Sequence, residues 1–424
     1  MLHHHPGGGG RGERHRAPPR RPPRRRGAAG RAPALTLLDR VRAARPDLDW
    51  ETARPRALPA LRSPAVPLKT LRRALRRAAR PVLLVNDGAR TLPRDLPWVL
   101  AELWEVGGRP PVVVATGTHR ESEAAARDRL GGLPVEVHDA DATRAHVALA
   151  PGARIDRRLA RADLIVAFGS VEPHYFAGWG GAHKTATVGV LDRASIERNH
   201  RLALDDGARP LACKGNPVFD DLARIAAAIE EDRRLLAVNH VLDDDGRAVG
   251  LGVGTWRGSL RRCEAAARAR FLHRVGPVDL LVAHATGPLG RTLYQADKGI
   301  KNTEAAVRPG GCLILSADLS DGAGPPRFLD LLARAPDLAT ARAAAQAEYR
   351  LGDHKAVRWR ALEARGVRVL VASPRIDPAL LEPAGIEAFA SLEDALAEAP
   401  PGPGRALLVS DAGRSVVLPP EPAT

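Results

Sequence analysis

EPHYFAGWGGAHKTATVGVLDRASIERNH, residues 172–200, follows an apolar run DLIVAF at 163–168. The apolar run reads as a buried strand of a parallel sheet. Behind it come three histidines (His174, His183, His200), Lys184 and four glycines (Gly178, Gly180, Gly181, Gly189). One histidine among the 14 of this chain is ordinary surface or core. Three of them beside a lysine, on a glycine-rich turn at a strand's carboxyl end, mark the place where α/β proteins bind ligands.

Working outward, the same unit recurs. PVLLVN at 81–86 is an apolar strand ending in NDGARTLP, 86–93. Residues 111–115 form the next strand and run into TGTHR, 116–120; residues 121–130 are helical and 134–138 form a third strand. Strand, polar turn and helix in alternation predict a parallel α/β sheet. Three strand ends then deliver Asp87 with Arg90, His119, and His174 with Lys184. Parallel strands put their carboxyl ends on one edge, so residues far apart in sequence can meet in one crevice.

Upstream, residues 47–80 read as helical material broken by prolines. Downstream come a helix at 216–230, a hairpin through DDDG between 235–240 and 248–253, and a helix at 265–275. Gly276–Pro277 marks a boundary. A second α/β unit opens with VDLLVAHA, 278–285, followed by the polar stretch GPLGRTLYQADKGIKN, 287–302. Strands at 312–317 and 367–373 are separated by helices at 328–350 and 355–365. The expected architecture is two α/β domains with mainly parallel sheets and the active site in the cleft between them. Their limits read as 34–275 and 276–404, with residues 405–424 a segment that could return to the first domain.

Composition narrows the classes. The chain has 424 residues, 44% hydrophobic and 4% aromatic, enough for two or three cores. Cys213, Cys263 and Cys312 are odd in number and far apart, which excludes a disulfide framework or a CxxC metal site and fits a cytoplasmic setting. No apolar run reaches the eighteen or so residues of a membrane span. The net charge of +15 invites a nucleic-acid reading, yet residues 1–33 alone hold nine Arg and one Glu, so +8 of it sits there. That Pro/Gly/Arg-rich stretch reads as a disordered basic arm, and nucleic acid is not the expected partner. No GxGxxG or GxxxxGK[ST] follows a strand, so nothing points to an exchanging dinucleotide or a nucleoside triphosphate.

NDGARTLP, ATGTHR, EPHYFAGWGGAHK, the Asn199–His200 pair, GNPVF, LYQADKG and GDHKA occur in the order seen in the lactate racemase family. The chain resembles that family over roughly residues 80–360. The resemblance implies an isomerase that inverts C2 of a 2-hydroxy acid, lactate by default. It implies reversible hydride transfer to a nickel-pincer nucleotide through a 2-keto acid, with cofactor-synthesis enzymes as partners. Lys184 looks like the lysine that anchors the pincer ring covalently, and His200 like the protein ligand to nickel. His119 and His174 look like the two catalytic bases. Arg90, Tyr294 and Lys298 look like substrate-side groups; Asp87 and Gln295 resemble residues that orient these or contact the cofactor. Two histidine bases suit a reaction that must take its proton from either enantiomer, and an arginine suits a carboxylate.

Two departures touch the anchoring turn. The family's run is closer to Ser-Gly-Gly-x-Lys, where this chain has Gly180-Gly181-Ala182-His183-Lys184. Its Pro-Gly is replaced by Val188–Gly189. His183 is extra and is expected to face solvent or stand behind the site. Larger 2-hydroxy acids (an aldonate, malate, an aryl-lactate) are the alternative substrates, and a metal-binding protein without racemase activity is the alternative class.

Overall fold

The computed structural model describes residues 35–421 apart from Pro64; the basic arm expected at 1–33 and the last three residues lie outside them. Twelve strands build two six-stranded sheets: β1 Leu48–Ala53, β2 Pro81–Asn86, β3 Val112–Ala115, β4 Glu136–Val137, β5 Leu164–Ser170, β6 Arg234–Leu242, β7 Ala248–Gly254, β8 Val278–Ala285, β9 Val307–Ala317, β10 Arg368–Ala372, β11 Glu387–Phe389 and β12 Gly404–Val409.

The first sheet runs β7-β6-β5-β2-β3-β4. It is parallel except for the β6–β7 hairpin, whose turn is the DDDG read in the sequence. β2 is buried at every position, and so is β5. The reason is layering on both faces. Val82, Leu84, Ile165 and Ala167 pack into one core, while Leu83, Val85, Val166 and Phe168 pack into another. A strand covered on both sides must be apolar throughout.

The second sheet, β1-β12-β8-β9-β10-β11, is parallel throughout. Its first strand is a departure from the sequence reading. Leu48–Ala53 is not helical and does not belong with the first sheet; it pairs with β12, Leu48 opposite Gly404 and Ala53 opposite Val409. Burial along it falls on Trp50 and Ala53, three residues apart, a spacing that imitates a helix. The strand state comes from its partner, some 350 residues away in sequence, and from Trp50 packing on Leu280, Val282 and Ile314. The first lobe therefore does not begin at residue 34. The tail divides: β12 stays in the second sheet, and Val416–Leu418 pairs with Leu272–Arg274, the strand that follows the helix Trp256–Phe271. The helix predicted at 265–275 ends accordingly at Phe271.

Candidate active site

Glycine makes the turn after β5 tight. A Cβ on Gly169 would lie 2.2 Å from the Ala182 nitrogen, so strand and helix α1 (Ala182–Ala186) meet backbone to backbone. Gly181 enters that helix at φ 135°, a conformation open to glycine. Ala182 N–H donates to Asn239 Oδ1 of β6 at 2.7 Å, and Asn239 Nδ2 donates in turn to Ser259 Oγ at 2.8 Å. From the same helix the Thr185 hydroxyl donates to Asn86 Oδ1 at 2.5 Å, at the end of β2. Lys184 is thereby fixed over the carboxyl edge of the first sheet.

Helix α2 (Arg193–Arg201) is capped by the Asp192 side chain, which accepts from Ser195 N–H at 3.0 Å; His200 projects from its last turn. Asn216 caps α3 (Pro217–Glu230) and also donates from Nδ2 to the Phe176 carbonyl at 2.9 Å. The Asn-Pro of GNPVF thus starts a helix and holds the loop that carries His174.

These elements and two from the second lobe, α4 (Leu293–Thr303) and α5 (Asp353–Glu363), enclose a cleft of about 860 Å³. All nine predicted site residues line it: Asp87, Arg90, His119, His174, Lys184, His200, Tyr294, Gln295 and Lys298. Seven lysines and arginines line it against two carboxylates, Asp87 and Glu197, which suits an anionic ligand.

The nine residues differ in environment. His119 Nδ1 lies 2.6 Å from Asp87 Oδ2, with the imidazole partly exposed and the carboxylate buried. His174 is buried, and its Nδ1 accepts from Ala177 N–H at 3.3 Å. Burial, then Lys184, Arg90 and Lys298, hold its pKa well below the usual histidine value, so it is neutral at physiological pH, the protonation state from which a base starts. Arg90 stands 3.8 Å from Glu172. Lys184 and Lys298 pair with no carboxylate among the described residues. Burial, with Arg90 nearby, drives both amines well below the usual lysine value. A buried, weakly basic amine is the nucleophilic form of lysine. Burial and Lys184 push His200 down to about 3, leaving a free imidazole donor.

Of the two places expected for His183, solvent or behind the site, the structure shows the second. It faces neither solvent nor the cleft. It is 1% exposed, stacked on Trp256 with ring centroids 5.8 Å apart and tilted against Phe219 at 5.5 Å. Adjacent helical positions point about 100° apart, so the face that sends Lys184 into the cleft sends His183 into the core.

Sequence reasoning missed a second group in the cleft. His354 places Nε2 3.0 Å from the Tyr175 hydroxyl and Nδ1 2.7 Å from that of Tyr349. Lys355 forms a buried ion pair with Asp297 at 3.1 Å and lies over the rings of Tyr175 and Tyr294, 4.6 and 4.5 Å from their centroids. The signal was present, since His354 and Lys355 are the HK of GDHKA and Asp297 lies in LYQADKG.

A doubly layered α/β fold with a cationic, histidine-rich cleft between two lobes defines the class: a chain built to bind an anionic ligand beside several neutral bases. Family profiles place it further. The lactate racemase N-terminal domain matches residues 56–210 and the lactate racemase C-terminal domain matches residues 275–417. The chain belongs to the lactate racemase family. It is 29% identical over 266 residues to the lactate racemase of Thermoanaerobacterium thermosaccharolyticum, covering 58% of this chain and 62% of that one. It is 27% identical over 276 residues to that of Lactiplantibacillus plantarum, covering 60% and 64%. The matched stretch thus spans under two thirds of either relative. In structure it is similar to the lactate racemase apoprotein of T. thermosaccharolyticum, with a TM-score of 0.73 at 21% identity over 84% of this chain and 91% of that one. A Thermotoga maritima protein shares the fold at a TM-score of 0.64 and 15% identity, over 84% and 99%.

Proposed function

We propose that the chain is a racemase or epimerase of 2-hydroxy acids, lactate by default, working with a nickel-pincer nucleotide. The observation that carries this is Lys184: a buried amine without a carboxylate partner among the described residues, on the wall that also presents His119, His174 and His200. The residues fit the cofactor. Lys184 is the amine that would hold its ring, and His200 is an unprotonated imidazole, a suitable nickel donor. Among the described residues no group of three or more His, Cys, Asp or Glu comes together to hold a metal; a ligand that brings its other donors would need only His200 from the chain. When bound, that group supplies reversible acceptance of the C2 hydride, with a 2-keto acid between the two enantiomers.

The chain's own part is to bind, orient and move one proton. Arg90 offers a forked cation to the substrate carboxylate, with Lys298 and the Tyr294 hydroxyl beside it. Asp87 holds His119 through Nδ1, which leaves Nε2 for the substrate hydroxyl. His174, neutral by burial, serves the other enantiomer. Gln295 and Asp87, which line the same cleft, would orient these groups or touch the cofactor. The cleft volume does not by itself enlarge the substrate, because a nucleotide would share it. Among the described residues no helix is long and apolar enough to cross a membrane, and we retain a cytoplasmic setting with cofactor-synthesis enzymes as partners.

The test uses protein from a host that makes the cofactor. We expect an adduct of nucleotide size on the peptide containing Lys184, about one nickel per chain, and interconversion of D- and L-lactate by chiral chromatography. An unmodified Lys184 in such a host would overturn the cofactor assignment. An adduct without turnover of lactate, with turnover of a longer 2-hydroxy acid, would move the substrate and leave the chemistry.

A further inference from the structure

His354 belongs to the second lobe, yet its contacts reach the first. Its Nε2 lies 3.0 Å from Tyr175 Oη, and its Nδ1 2.7 Å from Tyr349 Oη in its own lobe. A neutral imidazole has one donor and one acceptor, so one tyrosine donates to it and the other accepts from it. Both ring nitrogens are then used, and the ring cannot turn without losing a bond. Lys355, the next residue, lies over the face of Tyr175 and is itself fixed by Asp297. The second lobe therefore holds Tyr175 by its hydroxyl and by its ring.

Tyr175 and its neighbour pass that grip on. The Tyr175 ring stacks on His174, centroids 5.2 Å apart and planes 21° from parallel. Phe176 stands edge-on to His174 at 4.5 Å, to His200 at 5.0 Å and to His354 at 5.1 Å. Three histidines from two lobes thus share one phenyl ring.

We propose that His354 is a positioning residue that acts as a latch: its bond to Tyr175 couples closure of the second lobe to the orientation of His174 and His200. This rests on the racemase reading for its effect on turnover, though the latch itself is a property of the chain. Interactions made only when the lobes meet restrict the reactive geometry to the closed, water-excluded form.

The test compares Tyr175→Phe, His354→Phe, the double variant and His354→Gln. The phenylalanines keep the rings and remove the bond, and glutamine restores a polar group near Nε2. In cofactor-loaded protein, each single phenylalanine variant should lower kcat about tenfold to a hundredfold, with KM and the thermal midpoint close to wild type. The double variant should be no worse than His354→Phe, because the Tyr175–His354 bond is lost in all three and the Tyr349 bond is lost in both proteins that replace His354. His354→Gln should recover most of kcat. Without cofactor, the two single variants should speed amide hydrogen exchange in the peptide spanning 174–178 about tenfold relative to the unaltered chain. Wild-type exchange and kcat in both singles, or a double variant whose loss is the product of the two, would overturn the latch. If the unaltered loaded protein racemises no 2-hydroxy acid, the racemase reading falls, and the exchange experiment still decides the latch.

Discussion

His119 Nδ1 and Asp87 Oδ2 are 2.6 Å apart, one arriving from the end of β3 and the other from the end of β2. Adjacent parallel strands, paired from Leu83 opposite Val112 to Asn86 opposite Ala115, bring their ends to one level and make the contact possible. The carboxylate sets which ring nitrogen is left for a ligand. Asp87→Asn, with similar shape and no charge, should lower kcat by about tenfold or more while substrate affinity changes little. Combined with His119→Gln it should add almost nothing. Steady-state kinetics on the four proteins of that cycle decide it, and full additivity would separate the two residues.

Arg90 is one of the forked cations lining the cleft, and its own carboxylate, Glu172, is held off at 3.8 Å. Arg90→Lys preserves the charge and loses the bidentate geometry. We expect KM for a 2-hydroxy acid to rise by about tenfold, roughly 1.4 kcal/mol. An unchanged KM would move carboxylate recognition elsewhere, with Lys298 next in line.

Lys184 lines the cleft as a buried amine whose charged form is disfavoured by burial, Arg90 and Lys298. In the cofactor-free chain it is a stability cost. Lys184→Met should therefore raise the stability of apo protein, by roughly 1–3 kcal/mol, and abolish the nucleotide adduct. Denaturant unfolding and intact mass report the two halves separately. A variant that unfolds earlier would show that the amine has a structural partner.

His183 supplies the pH prediction. Burial holds its pKa at about 3, and likewise holds His138, His240 and His273 at about 4, against an ordinary 6.5. Below pH 6.5 the unfolded chain takes up protons that the folded chain refuses. Stability should thus be fully present above about 6.5 and fall as the pH drops toward 4 and then 3. Neither nitrogen of His183 has a hydrogen-bond partner among the described residues. His183→Leu should leave the thermal midpoint at pH 7 equal or higher and make the acid loss shallower. An unchanged acid profile would place the loss on other groups.

Gly169 tests the anchoring turn. A methyl group there would meet the Ala182 nitrogen at 2.2 Å, and backbone cannot yield as a side chain can. Gly169→Ala should cost more than about 3 kcal/mol and displace α1, so that residual folded protein carries no adduct at Lys184. Gly132→Ala provides the contrast, since nothing lies within 4 Å of its Cβ position; its positive φ leaves only local strain, about 1 kcal/mol.

The parallel strands and the cleft-lining residues at their carboxyl ends were determined by local sequence. PVLLVN and DLIVAF are apolar without interruption because both faces of their sheet are covered, and composition alone carries that message. Glycines, histidines and a lysine in one turn announce a site because few packing needs call for them together. Other features had no local signal. Leu48–Ala53 is a strand because β12 lies beside it, and its burial period by itself resembles a helix. His183 and Lys184 are adjacent in the chain and diverge in space, a difference set by how α1 docks on Asn239 and Asn86. The grip of His354 on Tyr175 joins residues 179 apart in sequence. Contacts of that kind depend on the meeting of two lobes, whose geometry is decided by packing across the whole molecule and cannot be read from any one stretch.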